Sequence, residues 1–111
     1  MQPESLLPLT PLSTELLIAL LEGDLHGYGL IKAVERRTNG RISPGAGTLY
    51  AALDRMVEAG MLRETRAAPG ADARRRYYAI TTFGRAVLTA EVNRLKALVR
   101  AAGGLLRAHS A

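Results

Sequence analysis

Arginine side chains supply most of the chemistry that this sequence offers. Ten arginines lie between residues 36 and 85 against four acidic residues, and three are consecutive at Arg74, Arg75 and Arg76. Guanidinium groups bind phosphate oxygens through paired hydrogen bonds, so this pattern favours a polyanion such as nucleic acid as the partner. The whole chain carries a net charge of +5. A solvated arginine-rich surface is the alternative explanation.

Catalytic and metal-binding constellations are missing from the sequence. It has no cysteine, which excludes disulfides, thiolate metal sites and a cysteine nucleophile. Only two histidines occur, and His26 is expected to have a capping or structural role. Asp54 and Glu58 lie one turn apart on the outward face of a predicted helix, where carboxylates usually serve solvation. We therefore predict a protein that is not an enzyme and holds no metal or cofactor.

The stretch from Ser43 to Tyr50, which reads SPGAGTLY, is the second candidate site. Ser43 is a good N-cap residue and Pro44 suits a first helical turn, so a helix is predicted from here to about Ala59. Leu49 and Leu53 would face the core. The outward side would carry small residues and one basic residue, namely Pro44, Gly47, Thr48, Ala51 and Arg55.

A helix with such a small outer face suits a nucleic-acid groove. The DNA major groove, about 12 Å wide, admits a helix only if its outer side chains permit close approach. Free N–H groups at the helix start also favour a phosphate. Close packing against another helix is the alternative reason for Gly45 and Gly47. Arg55 has Asp54 and Glu58 nearby, so its role stays open between a DNA contact and solvation.

The remaining elements follow from periodicity and capping residues. A first helix begins at Thr10-Pro11 and a second covers about residues 27–38. Two short strands are predicted at residues 62–66 and 74–80, joined by a turn-rich tip at residues 67–73, and a last helix runs from Thr81 or Thr82 to about Leu106. This order predicts a mainly α fold with a small β-hairpin, the winged helix-turn-helix, plus a long C-terminal helix.

The last helix carries an apolar seam. Because little of the chain is left to cover a helix of this length, we predict that the seam forms a dimer interface, with packing inside one chain as the alternative. Gly103-Gly104 is expected to interrupt the helix. The residues of the seam follow each other at spacings of 4, 3, 4, 3 and 4: Leu88, Val92, Leu95, Val99, Ala102 and Leu106.

The domain boundaries follow from the predicted order of helices and strands. Residues 1–9 are expected to form a flexible arm, residues 10–81 the winged helix-turn-helix domain and residues 82–111 the dimerisation helix. The N-terminus does not read as a signal peptide, and the longest apolar run is far too short to span a membrane. We expect a soluble cytoplasmic protein that does not bind membranes.

Three segments together resemble the PadR family of transcriptional regulators over roughly residues 9–90. The single predicted helix after them resembles the short-tailed subgroup of that family. The segments are His26-Gly27-Tyr28 with Leu30 and Ile31, then Gly47-Thr48-Leu49-Tyr50 with Leu53 and Gly60, then Arg76, Tyr78, Ile80, Thr81 and Gly84.

The resemblance implies a dimeric winged-helix repressor, with roles for particular residues. Tyr28 would contact a DNA phosphate, and Ser43, Thr48 and Tyr50 would lie at the DNA surface. Half-buried core aromatics are the alternative role for Tyr28 and Tyr50. The arginines at positions 74–76 would belong to the wing.

Two further expectations concern basic residues. Lys32 is an additional candidate for a phosphate contact. Since side chains alternate across a strand, Arg75 is expected to point away from Arg74 and Arg76.

We therefore predict a homodimer that binds a pseudo-palindromic operator in double-stranded DNA and represses transcription. Two alternatives stay open. One is a winged helix used as a protein-interaction module, and the other is a sensor that binds a small-molecule effector at the dimer interface. The sequence identifies neither the operator nor an effector.

Overall fold

The computed structural model describes residues 1–66 and 72–110. Within them a three-stranded antiparallel sheet and four α-helices form the predicted winged helix-turn-helix with a long C-terminal helix. A short 3₁₀ helix, Pro3–Leu6, precedes these elements. In chain order they are α1 (Pro11–Ala19), β1 (Leu25–His26), α2 (Gly27–Arg37), α3 (Ala46–Glu58), β2 (Leu62–Thr65), β3 (Tyr77–Ile80) and α4 (Thr82–Ala108).

Side-chain caps set the starts of three helices. Thr10 Oγ1 accepts a hydrogen bond from the Ser13 amide at 3.1 Å, which confirms the predicted cap of α1. His26 caps α2 through Nδ1, which lies 3.0 Å from the amide nitrogen of Gly29. Thr81 caps α4 and is one of the two residues predicted for that place. These caps satisfy backbone donors that a helix start leaves free.

The start of α3 differs from the prediction. The helix begins at Ala46, and Gly45 is its N-cap without a side-chain hydrogen bond. Ser43 instead donates its hydroxyl hydrogen bond to the carboxylate of Glu35 on α2. The prediction that Ser43 caps the helix and Pro44 opens it was therefore wrong. The hydroxyl found a stronger, charged acceptor in the neighbouring helix, which the local sequence does not reveal.

The sheet contains a strand that the sequence did not indicate. The two residues of β1 pair with β3, which also pairs with β2. A two-residue strand has no periodicity to detect. The second predicted strand begins at Tyr77 rather than at residue 74. Arg74–Arg76 therefore precede the sheet, and the strand alternation expected to turn Arg75 away does not apply. Residues 67–71 of the predicted hairpin tip lie outside the described residues.

The core lies between the first three helices, the sheet and the first half of α4. Leu16, Leu30, Leu49 and Leu53 are completely buried there. Leu88 is only 6% exposed and belongs to this core, so it is removed from the predicted dimer seam. Helix α4 also continues without interruption through Gly103 and Gly104, contrary to expectation. No helix of the described residues is both long and apolar enough to cross a membrane.

The first nine residues are part of the packed fold and not a separate arm. Leu6, Leu7 and Leu9 pack against the core cluster. The Leu9 amide donates a hydrogen bond to Oε2 of Glu91 on α4 at 3.1 Å. Glu91 is 2% exposed, and Oε1 receives a further hydrogen bond from Nε of Arg94 at 2.6 Å. A buried carboxylate with these donors ties the N-terminal segment to α4.

We expect Glu91→Gln to lower the free energy of unfolding by about 1–2 kcal/mol at pH 7, because a charged hydrogen bond is lost in a buried place. The hydrogen bond from Arg94, more than the Leu9 amide, lowers the pKa of Glu91 below its ordinary value of 4.5. A lowered pKa adds stability above pH 4.5 that is lost as the pH falls through the folded-state pKa. Urea unfolding at several pH values measures this. A difference from wild type that persists under acid conditions would contradict the assignment.

Candidate nucleic-acid interface

A basic cleft opens where the start of α2, helix α3 and the segment before β3 meet. Its volume is about 310 Å³. These three parts of the chain contribute two tyrosines, one glycine, three consecutive arginines and the histidine that caps α2. The lining residues are His26, Gly27, Tyr28, Tyr50, Arg74, Arg75 and Arg76. The cleft therefore joins the tyrosines and the arginines that the sequence proposed separately.

Tyr28 projects from the first turn of α2 and is 56% exposed, so it is not a core residue. The guanidinium carbon of Arg75 lies 5.7 Å from its ring centre, and Nζ of Lys32 lies 5.4 Å from the same centre. Both are cation–π distances. The ring of His26 stacks beside it at 6.4 Å between centroids. The phenol thus lies among three basic side chains at the positive end of the α2 dipole, where an anion is stabilised.

Tyr50 approaches the same helix start from α3. A Cβ atom added to Gly27 would overlap the Tyr50 hydroxyl, so only glycine leaves room for this ring at the first position of α2. Tyr50 is nevertheless 41% exposed. Both tyrosines therefore line the cleft at the start of α2, and a tyrosine hydroxyl can donate a hydrogen bond to a phosphate oxygen.

The arginines at the cleft carry acidic partners. Nη1 of Arg75 lies 3.2 Å from Nδ1 of His26, and its Nε lies 3.4 Å from Oδ2 of Asp72. Asp72 also accepts hydrogen bonds from the backbone and side chain of Arg74, and Arg74 does more than any other group to lower the pKa of Asp72. Arg76 forms a 3.6 Å ion pair with Glu64 on β2. Arg75 faces the cleft, contrary to the expected alternation.

The outer face of α3 is bare. A Cβ atom at Gly45 or at Gly47 would have no other described atom within 4 Å, apart from the local backbone. Close packing against another helix among the described residues is therefore not the reason for these glycines. Thr48, Ala51 and Arg55 are exposed on the same helix. Nothing in the described fold requires small side chains at this helix start.

Lys32 and Ser43 do not line the cleft, although Lys32 reaches the Tyr28 ring, and the two residues share one acidic partner. Nζ of Lys32 is 3.5 Å from Oε1 of Glu35, whose other oxygen accepts the hydrogen bond from Ser43. These contacts, led by the Ser43 hydrogen bond, lower the pKa of Glu35. Any phosphate bound here would compete with this carboxylate.

Three residues of the cleft were not predicted as site residues. His26 was expected to cap α2, which it does, and Gly27 was noticed only as part of a motif. Arg75 was predicted to point away from Arg74 and Arg76 because it was placed in a strand, whereas all three line the cleft. The contact between Gly27 and Tyr50 could not be predicted from their spacing in the sequence, because it depends on how α3 packs against α2.

Comparison with known proteins identifies the family and the fold of the chain. The model of the transcriptional regulator PadR-like family matches residues 16–90, about two thirds of the chain. The chain belongs to the PadR-like family. A PadR family transcription regulator from Clostridium difficile has a similar structure, with a TM-score of 0.73 and 21% identity over 87% of this chain and 99% of that one.

Two other solved structures are similar to this PadR-like protein. A transcriptional regulator from Clostridium thermocellum gives a TM-score of 0.69 and 26% identity, covering 83% of this chain and 89% of the other. Bacillus subtilis PadR, solved in complex with operator DNA, gives a TM-score of 0.64 and 19% identity. The match covers 75% of this chain and 47% of the Bacillus chain. The winged-helix fold and membership in a family of DNA-binding transcriptional regulators are thus established for this chain.

Proposed function

We propose that this PadR-like protein is a homodimeric repressor that binds a pseudo-palindromic operator, with α3 in the major groove and the segment before β3 at the backbone. One observation carries the proposal. The start of α3 has open space around Gly45 and Gly47, directly beside a cleft lined by tyrosines and arginines. A bare helix next to phosphate-binding groups is what close approach to duplex DNA requires.

The cleft would fix the orientation of the protein on the duplex. Tyr28, Tyr50 and the arginines at positions 74–76 supply donors and positive charge for one backbone phosphate. Bacillus subtilis PadR, which shares this fold, was solved in complex with operator DNA, and this supports duplex DNA as the partner. The alternative of a protein-interaction module accounts less well for a basic cleft beside a helix that lacks large side chains.

Base recognition by α3 rests on few groups. Thr48 can hydrogen-bond to base edges, the Ala51 methyl group can contact a thymine methyl, and Arg55 can reach guanine. Since the outer face offers little else, part of the specificity would come from DNA shape and from the spacing of two half-sites, roughly 34–36 Å apart.

The far half of α4 supports a homodimer. Beyond the core its apolar side chains are exposed, and Val99 is 69% accessible to solvent. Leu98 and Leu105 add a second apolar row beside the predicted seam, so the stripe is wider than a two-stranded coiled coil uses. The exposed apolar residues of this half are Val92, Leu95, Leu98, Val99, Leu105 and Leu106.

The DNA-binding proposal is tested by fluorescence anisotropy with labelled DNA from upstream of the gene. We expect tight binding to this duplex, weaker binding to a scrambled duplex of equal length, and an affinity that falls as salt rises. Equal affinity for both duplexes would contradict the sequence-specific function. A reporter gene placed behind the bound DNA distinguishes repression from activation.

We expect Val99→Glu to convert the dimer into a monomer, because the variant buries a charge in an apolar seam. The mass is measured by light scattering after gel filtration. Ala97→Glu is the matched control, since it adds the same charge to the opposite side of α4 and should remain dimeric. A wild-type protein that elutes as a monomer would contradict the homodimer.

A groove along α4 favours the ligand-responsive form of this function. It has a volume of about 360 Å³, is lined by Val92, Leu95, Lys96, Val99 and Arg100, and lies on the proposed dimer face. A second subunit would cover this groove and enclose a small molecule with apolar and anionic parts. A compound acting here should change the DNA affinity of the dimer and have no effect on the Val99→Glu monomer.

A further inference from the structure

Asp72 holds two arginines at the mouth of the basic cleft. Its Oδ1 accepts hydrogen bonds from the backbone amide of Arg74 at 3.0 Å and from Nε at 3.2 Å, and Oδ2 lies 3.3 Å from Nη2 of the same residue. Nε of Arg75 lies 3.4 Å from Oδ2. One carboxylate therefore neutralises two of the three neighbouring arginines that the proposed interface depends on.

The two carboxylate oxygens use the donors that a phosphate would use. A guanidinium group binds carboxylate and phosphate through the same paired N–H hydrogen bonds. Nε and Nη2 of Arg74 both point to Asp72, which leaves fewer donors for a second anion. Asp72 thus has the chemistry and the contacts of a phosphate mimic.

These ion pairs are easily exchanged because they lie at the surface. The Arg74 side chain is 91% exposed, and about a third of Asp72 is accessible. Exposed ion pairs contribute little to folding, so the fold does not depend on them. The arginines also lower the pKa of Asp72, so the carboxylate stays charged at neutral pH.

We infer that Asp72 is an intramolecular competitor of DNA: its carboxylate occupies Arg74 and Arg75 in the free protein, and a backbone phosphate must replace it on binding. The inference rests on the proposed function, and it means that the Asp72 carboxylate weakens the binding of DNA to the cleft. Arg75 keeps its contact with His26 beside Tyr28, so an arginine released by Asp72 is already held at the start of α2.

The test compares full-length Asp72→Asn with wild type on the upstream duplex at several salt concentrations. Removing the carboxylate should raise the DNA affinity about fivefold, the size that an exposed ion pair reaches. The slope of log affinity against log salt should stay nearly unchanged, because the same phosphate is neutralised in both proteins. Glu22→Gln removes the same charge from the exposed turn after α1, which does not line the cleft, and should leave the affinity nearly unchanged.

A double-mutant cycle with Arg74 and Arg75 separates direct competition from net charge. If Asp72 acts through these arginines, Asp72→Asn should have little effect when both are replaced by glutamine. An affinity that falls or stays constant in Asp72→Asn would overturn the inference, as would an equal gain in Glu22→Gln. Both results leave the proposed function intact, whereas a wild-type protein that binds no duplex would remove the proposed function itself.

Discussion

Thr48→Glu is expected to weaken operator binding by about a hundredfold while the protein stays folded. The side chain is exposed on the first turn of α3 beside Gly47, where no other described part of the chain lies over the helix. A carboxylate there would face the phosphates and base edges of the groove, and like charges brought together in an interface cost several kcal/mol. Anisotropy titration gives the affinity, and thermal unfolding gives the stability.

One control and one neighbouring variant make this result specific for the outer face of α3. Ala97→Glu adds the same charge to an exposed site of α4 and should bind DNA nearly as wild type does. Gly47→Ala should raise the free energy of unfolding by about 0.5–1 kcal/mol, because alanine has the higher helix propensity and its Cβ atom would meet no other described atom within 4 Å. Full DNA affinity in Thr48→Glu would exclude α3 as the recognition helix and favour a protein partner.

Gly84→Ala is expected to destabilise the protein by about 3 kcal/mol, at the upper end of the usual cost of overpacking. Its Cβ atom would overlap the carbonyl oxygen of Met61 and lie 3.0 Å from Cγ1 of Ile80. That carbonyl accepts hydrogen bonds from the amide and hydroxyl of Thr81, the cap of α4. Because a backbone oxygen held in this way cannot move aside, the clash outweighs the better helix propensity of alanine.

Gly104→Ala, in the same helix, should change the stability in the opposite direction. No other described atom lies within 4 Å of its added Cβ, so propensity alone acts and stability should rise by up to about 1 kcal/mol. Urea unfolding of both variants at one protein concentration measures the pair. If Gly84→Ala were as stable as Gly104→Ala, α4 would not pack against Met61 as described.

These two predictions separate the surface from the core of the same domain. At Gly47 the fold has room for a side chain and the proposed partner does not, so a substitution should affect DNA affinity before stability. At Gly84 the fold itself has no room, so stability should fall first. The glycines therefore serve two different requirements, although in the sequence both stand at the start of a helix with an apolar face.

Much of the fold is readable from local sequence because its causes are local. Thr10-Pro11 and Thr81 start helices through side-chain caps within four residues, and the apolar periodicity of each helix identifies its buried face. The order of these elements then predicts the winged helix-turn-helix. Ser43 shows the limit of this reasoning, since a good cap residue bonded instead to Glu35, a residue eight positions earlier.

The candidate site was decided by tertiary structure. The sequence by itself determined that the protein is basic around α3, contains no cysteine and carries tyrosines and arginines suited to phosphate. Only the packing of α3 across α2 brought Tyr50 over Gly27, and only the late start of β3 turned Arg75 toward His26 and Asp72. Likewise, Leu88 and Glu91 look like surface or seam residues until the core and the N-terminal segment cover them. Residue types set the available chemistry, whereas contacts between distant segments depend on how the helices pack, which no short spacing encodes.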